Sequence, residues 1–91
     1  MFKFEWDEQK AASNIVKHGV SFDEAVSVFG DVIALTFADT EHAEVEERSR
    51  TYGISSKGRL LVVVHTERRN GIRIISARKA TRYEKSIYEN G

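Results

Sequence analysis

RLLVVVHTERRNGIRIISARK, residues 59–79, reads as two strands and the turn between them. Leu60–Val64 and Ile72–Ile75 are rich in the branched apolar residues that suit a pleated, half-buried surface. Asn70-Gly71 lies between them, the dipeptide that best tolerates the positive φ angles of a type I′ hairpin. The pattern predicts strands over 59–68 and 72–78, antiparallel and closed by a two-residue loop. In that register Arg69 opposes Ile72, Glu67 opposes Ile74, His65 opposes Ser76 and Val63 opposes Arg78. Side chains alternate along a strand, so His65, Glu67, Ser76 and Arg78 are expected on one face. A slip of one residue would bring Arg68 into the set instead.

Outward from the hairpin, the chain divides into short elements with clear punctuation. Phe2, Phe4 and Trp6 alternate with Lys3 and Glu5, the period of a strand. Asp7 can cap a helix whose apolar positions are Ala11, Ala12, Ile15 and Val16, and Gly19 stands where a left-handed stop is wanted. Ser21 and Glu24 form a capping box ahead of a second helix, with Phe22, Ala25, Val26 and Phe29 on its apolar face and Gly30 at its end. From Val32 the period becomes two, with Ile33, Leu35 and Phe37 on one face. Asp39–Glu47 is an acidic loop, Arg48–Ile54 a strand interrupted by Gly53, and residues 55–58 a turn. Thr81 and Glu84 form a second capping box, opening a last helix with Tyr83 and Ile87 turned inward. The predicted order is β-α-α-β-β-β-β-α, a single α+β domain over residues 1–91 with mainly antiparallel neighbours.

Composition narrows the function classes. The chain has 91 residues, 14 Lys+Arg against 14 Asp+Glu, and neither Cys nor Pro. There is no disulfide staple and no thiolate chemistry, which suits a reducing cytoplasm. The longest apolar run, Leu60–Val64, is far below the roughly 20 residues of a membrane-spanning helix. The zero net charge conceals a division. Residues 1–47 hold 11 acids and 3 bases, whereas residues 48–91 hold 3 acids and 11 bases. Such asymmetry can give a neutral protein a strongly positive surface that attracts polyanions, or simply two solvated faces that balance each other.

The residues able to do chemistry are few. His65, Glu67 and Arg78, if grouped as above, supply an imidazole, a carboxylate and a guanidinium. That set is equipped for phosphodiester cleavage without a metal: a base takes the 2′-OH proton, an acid protonates the leaving oxygen and the guanidinium stabilises added charge. Taken singly, His65 also reads as a hydrogen-bonded strand histidine, Glu67 and Arg68 as a solvated hairpin tip, and Arg78 as half of a structural ion pair. Lys79, Arg82 and Lys85 could extend a phosphate-binding rim. Trp6, Tyr52, Tyr83 and Tyr88 could stack on bases, although the spacing of Tyr83 and Ile87 suits a core contact. His42 and Glu44 lack the spacing of a known metal site, and no metal or cofactor is expected. No phosphate-binding glycine loop or nucleophile elbow is present.

These residues also carry a family likeness. Phe4-Glu-Trp-Asp7, Lys10, Asn14, Lys17-His-Gly-Val-Ser-Phe22 and Glu24-Ala25 are followed by Arg48, Gly53 and Gly58-Arg-Leu-Leu-Val-Val-Val-His-Thr-Glu-Arg68. Arg73-Ile-Ile-Ser-Ala-Arg-Lys-Ala80 and Glu84–Tyr88 complete the set. In order and spacing, over nearly the whole chain, this resembles the BrnT-type toxins. The resemblance implies a RelE-like fold and a bacterial type II toxin, a cytoplasmic ribonuclease that blocks translation. It implies a BrnA-type antitoxin as direct partner, RNA as substrate, and operator DNA bound only through the toxin–antitoxin complex. Carried over residue by residue, it points to His65, Glu67, Arg68 and Arg78 as catalytic and to Lys10 and Arg48 as RNA-binding. Arg78 would hold the scissile phosphate, assisted by Arg68 or Lys10, with His65 or Glu67 moving the proton. A non-catalytic antitoxin-binding module and a nucleic-acid-binding regulator of its operon are the two other classes the residues allow.

Overall fold

The computed structural model describes residues 3–39 and 47–91. Five strands form one sheet in the order β1-β5-β4-β3-β2. They are β1 (Lys3–Glu5), β2 (Leu35–Ala38), β3 (Ser49–Ile54), β4 (Leu60–Arg68) and β5 (Gly71–Lys79). Helices α1 (Glu8–His18) and α2 (Phe22–Ser27) follow β1, a 3₁₀ turn spans Val28–Gly30, and α3 (Arg82–Asn90) closes the chain. The element order and the α+β class are those anticipated from the sequence. His42 and Glu44 lie outside the described residues, and no helix among the described residues is long and apolar enough to cross a membrane.

The helix boundaries follow from the caps. The Asp7 carboxylate accepts from the Gln9 and Lys10 N–H groups at 2.8 and 3.2 Å, and Gly19 ends α1 at φ 67°. Thr81 and Glu84 close a complete capping box, Glu84 N–H to Thr81 Oγ1 at 3.1 Å and Thr81 N–H to Glu84 Oε1 at 2.8 Å. The box at Ser21 is only half made. Ser21 Oγ accepts from Glu24 N–H at 3.0 Å, but the Glu24 carboxylate is taken by Arg59, whose Nε donates at 2.9 Å, and by the Ser55 hydroxyl at 2.7 Å. A local signal was overridden by a distant cation.

α1 and α2 cover one face of the sheet. Val20, Phe22, Ala25 and Val28 pack there on Leu61, Val63, Ile72, Ile74 and Ala77. Of the apolar positions read for α1, Ala11 packs against this core, whereas Ala12, Ile15 and Val16 are exposed and Asn14 is buried in their place. The reason lies in β5. β1 pairs with only Gly71–Arg73, so among the described residues the rest of β5 has no second strand beside it. Asn14 takes that role, with its Oδ1 accepting from the Ala77 N–H at 3.1 Å and its Nδ2 donating to the Ala77 carbonyl at 2.8 Å. A side-chain amide thereby satisfies a strand edge that would otherwise be buried without partners.

The hairpin register differs from the expected one. Arg68 pairs with Gly71, Glu67 with Ile72, Thr66 with Arg73 and His65 with Ile74, so Arg69-Asn70 is the loop. A bulge at Ile75 then shifts the ladder, and Val64 pairs with Ser76, Val63 with Ala77 and Val62 with Arg78. Gly71 is not a positive-φ residue. Its function is close approach: a Cβ there would stand 1.8 Å from the Lys3 carbonyl oxygen of the parallel strand β1. Gly71→Ala is therefore expected to push β1 off the sheet and cost about 2–3 kcal/mol, beyond an ordinary surface change. Chemical denaturation of the variant checks this, and an unchanged midpoint would rule out the tight packing of β1 on Gly71.

Candidate functional site

Each predicted site residue can now be placed on the sheet. β4 alternates without interruption, so Leu61, Val63 and His65 face α1 and α2, while Val62, Val64 and Thr66 face the other way. His65 is buried on the helical side, edge-on to Phe29 with ring centroids 5.0 Å apart. Its Nε2 is 2.7 Å from Thr51 Oγ1, which is in turn 2.8 Å from Thr36 Oγ1. This chain ties β4 to β3 and β2. Arg78 pairs with Val62 and therefore faces the opposite side, where its two terminal nitrogens donate to Glu84 of α3 at 2.7 and 2.8 Å. The expected grouping of His65, Glu67, Ser76 and Arg78 on one face is thus corrected. The bulge at Ile75 sends Ser76 and Arg78 to the face away from His65 and Glu67. Glu67 is exposed near the hairpin end, as is Arg68 on the opposite face. Lys79 and Arg82 are exposed on either side of the β5–α3 connection. Lys10 stands on α1, at the edge of β5.

What the fold does bring together is a face of arginines. Arg50 pairs with Val64, and Arg73 with Thr66, both on the side away from α1 and α2. Arg48 continues the β2–β3 ladder, its carbonyl accepting the Asp39 N–H at 2.8 Å, and alternation sets it on the same face as Arg50. Arg68 and Arg78 complete the row. Three buried polar atoms here, Arg48 Nε, Arg50 Nε and Thr66 Oγ1, have no hydrogen-bond partner among the described residues. Buried polar groups are normally satisfied, so three unpartnered ones on one face single it out from the rest of the described chain. Arg50 and Arg73 were missed in the sequence. The available signal was alternation, since Arg48 and Arg50 share a strand face, as do Arg73 and the strand's other outward residues, but register across strands was needed to join them.

α3 forms one wall of this face. It is fastened twice: by Arg78–Glu84, and by the Tyr88 hydroxyl bonded at 2.6 Å to Asp31 Oδ2. Between α3 and β2–β3 lies a cleft of 540 Å³ lined by Phe37, Arg50, Tyr52, Tyr83, Glu84 and Ile87 among others. Tyr83, expected to turn inward, is 75% exposed at its rim. Phe37 and Tyr52 meet below it with ring centroids 5.3 Å apart. Aromatic faces beside a guanidinium are the surface on which unpaired bases stack.

The buried titrating groups make the fold acid-sensitive. Burial pushes His65 below its usual pKa, so the unfolded chain binds a proton that the folded ring refuses. Stability is therefore lost as pH falls through the ordinary histidine range near 6.5. Glu84 is held down to about 2, chiefly by its hydrogen bonds from Arg78, against the desolvation that opposes them. Arg59 lowers Glu24, and the Ile54 N–H lowers Asp31. These carboxylates contribute stability above pH ~4.5 and lose it as pH falls toward 2. Urea unfolding at several pH values should show two successive losses, with the second reduced in Glu84→Gln. A flat profile from pH 7 to 3 would contradict both assignments.

Among the described residues there is no cluster of His, Asp and Glu suited to a metal ion. Comparison with known proteins agrees with the placement of the fold. Residues 6–84 match the family model described as ribonuclease toxin, BrnT, of type II toxin-antitoxin system. No individual curated protein matches significantly. The crystal structure of the Brucella abortus ribonuclease toxin, BrnT, superposes with a TM-score of 0.69 at 25% sequence identity, covering 90% of this chain and 100% of that one. A match spanning most of the chain, together with the same fold, leads to one conclusion: the chain belongs to the BrnT family of ribonuclease toxins of type II toxin–antitoxin systems.

Proposed function

We propose that the chain is a metal-independent endoribonuclease that inhibits translation by cutting RNA on the open, arginine-bearing face of its sheet. The observation that carries this reading is the set of buried donors at Arg48, Arg50 and Thr66 that no acceptor among the described residues satisfies. A bound phosphodiester would supply acceptor oxygens to all of them. Arg50 and Arg73 then stabilise charge as the 2′-OH gives its proton to water and adds to the neighbouring phosphorus, while the departing 5′ oxygen takes a proton from water. Such fixed guanidinium charge can do the work that a bound metal ion does in other nucleases. Arg48 contributes to phosphate binding, and Arg78 holds α3 against the sheet through Glu84. His65 acts from behind, locking β3 and β4 through Thr51 so that Arg50 keeps its position. Glu67, Arg68, Lys79 and Arg82 lie on the surrounding rim and contribute long-range attraction for RNA.

In this reading the partner is a BrnA-type antitoxin whose acidic segment covers the arginine face, and only the complex contacts operator DNA. Both proteins act in the cytoplasm, where the RNA is. The test is cleavage of purified RNA by the isolated chain with EDTA present. Fragments ending in 2′,3′-cyclic phosphate are expected. Full protection of RNA by EDTA would overturn the metal-independent mechanism, and absence of cleavage with or without metal would leave only a binding role.

A further inference from the structure

The unpaired edge of β5 carries a second cationic feature. Beyond Arg73, β5 has among the described residues a strand on one side only, and α1 runs along the other, anchored there by Asn14. Between them is a pocket of 230 Å³ lined by Lys10, Ser13, Lys17 and His18 of α1 and by Ile75 and Ser76 of β5. Among the described residues no carboxylate lines it. Residues 1–47 contain only three bases against 11 acids, and two of the three stand here, at i and i+7 on one helix face. The most acidic half of the chain has placed its positive charge at this edge.

Register connects the pocket to the arginine face. Phe37 pairs with Arg50, Arg50 with Val64 and Val64 with Ser76, making one transverse row across the open side of the sheet. The row ends on Ser76, which is also the lip of the pocket. From Arg50 to Ser76 is two strand spacings, about 10 Å. The bulge at Ile75 lies at the same point, bending the edge where the row meets it. Arg73 and Arg78 flank the row on the two sides.

We propose that the α1–β5 pocket binds a backbone phosphate of the substrate RNA, so that the strand crosses the sheet at Arg50 and leaves over the free edge of β5. This rests on the ribonuclease reading above and extends it by giving the substrate a direction and an exit. Lys10 and Lys17 supply point charge, and Ser13 and Ser76 supply hydroxyl donors. None of them reaches base edges in a fixed fork, so the pocket adds affinity without adding sequence preference. An acidic protein segment is the competing occupant.

The experiment is equilibrium binding of the full chain to a non-cleavable 2′-O-methyl RNA about 12 nucleotides long, followed by fluorescence anisotropy over a salt series. The variants are Lys17→Gln, Ser13→Glu, Lys17→Arg and Arg50→Gln. Ser13 and Lys17 are exposed on α1, and a melting curve recorded for each variant checks that it folds. Lys17→Gln and Ser13→Glu should each weaken binding roughly 5- to 10-fold, equally for A-rich and U-rich sequences. Lys17→Gln should also make the log–log salt dependence shallower by about 0.7. Lys17→Arg keeps the charge and should bind like the parent chain. Should Arg50→Gln weaken binding while Lys17→Gln and Ser13→Glu match the parent, the pocket is not on the RNA path, and this proposal fails alone. That result holds equally if those two variants lose only an acidic protein partner. Should Arg50→Gln itself bind RNA as tightly as the parent, the reading of the open face fails and takes the pocket with it.

Discussion

Arg50→Ala is expected to lower RNA cleavage by about 10²–10³-fold while the chain stays folded. Three features single out this arginine. It is the second residue of β3, paired with Val64 on the open face, so the sheet fixes its backbone. Its Nε is buried without an acceptor among the described residues, so no described group holds that donor back from a substrate. It also lines the cleft under α3 together with Tyr52 and Tyr83, where a base beside the scissile phosphate can stack. A donor fixed in advance and aimed at developing charge is worth far more than the same group on a mobile surface. The fold should survive, because the buried Nε has no hydrogen-bond partner among the described residues that its removal would orphan. Removing a buried unsatisfied donor is neutral or stabilising for folding, which separates this variant from a core substitution. Initial cleavage rates on purified RNA, beside a urea melt, measure both halves. A variant that cleaves within about threefold of the parent would remove Arg50 from the transition state.

The largest loss of stability is expected at Asn14. Its amide makes three buried hydrogen bonds: two with Ala77 and one, at 2.9 Å, to the Val20 carbonyl. Asn14→Ala leaves two carbonyls and one N–H without partners, at about 1–3 kcal/mol for each group that water does not reach. A total near 4 kcal/mol is a large part of the roughly 5–15 kcal/mol available to a domain of this size. Asn14→Asp distinguishes bonding from packing. It is the same size and can still accept from the Ala77 N–H, but it would turn a carboxylate toward two carbonyl oxygens. The aspartate variant should therefore be at least as unstable as the alanine one. Urea unfolding of both variants decides the matter, and a loss below about 0.5 kcal/mol in either would mean that the β5 edge does not depend on this side chain.

The sheet's two faces also explain how the parts act together. The helical face buries the core and hides His65, and its hydrogen-bond chain through Thr51 to Thr36 holds three strands in register. The open face can then expose arginines without losing its shape, because the opposite side supplies the burial that stabilises the sheet. Among the described residues α3 is the one element laid over that open face, and its two fastenings, at Glu84 and Tyr88, keep the cleft beside Arg50 at a defined width.

Much of this protein was legible along the chain, because its elements are set by neighbouring residues. Alternation marked the strands, Asp7 and Thr81 marked two helix starts, Gly19 marked a helix stop, and the order of eight elements followed. The family was legible too, since its likeness rests on residues and their spacing. The site was not. Asn70-Gly71 resembled an ordinary hairpin turn, yet Gly71 answers to Lys3, which lies far away in sequence and beside it in space. One residue of bulge at Ile75 moved Arg78 to the far side of the sheet from His65, because a pleated strand reverses its side chains at every step. Asn14 stood in the sequence only as part of the family likeness, and its structural role appeared when the edge of β5 supplied its partners. Local propensities and caps are properties of the sequence by itself. Which arginines share a face depends on the register between strands, and that is decided only when the tertiary structure closes.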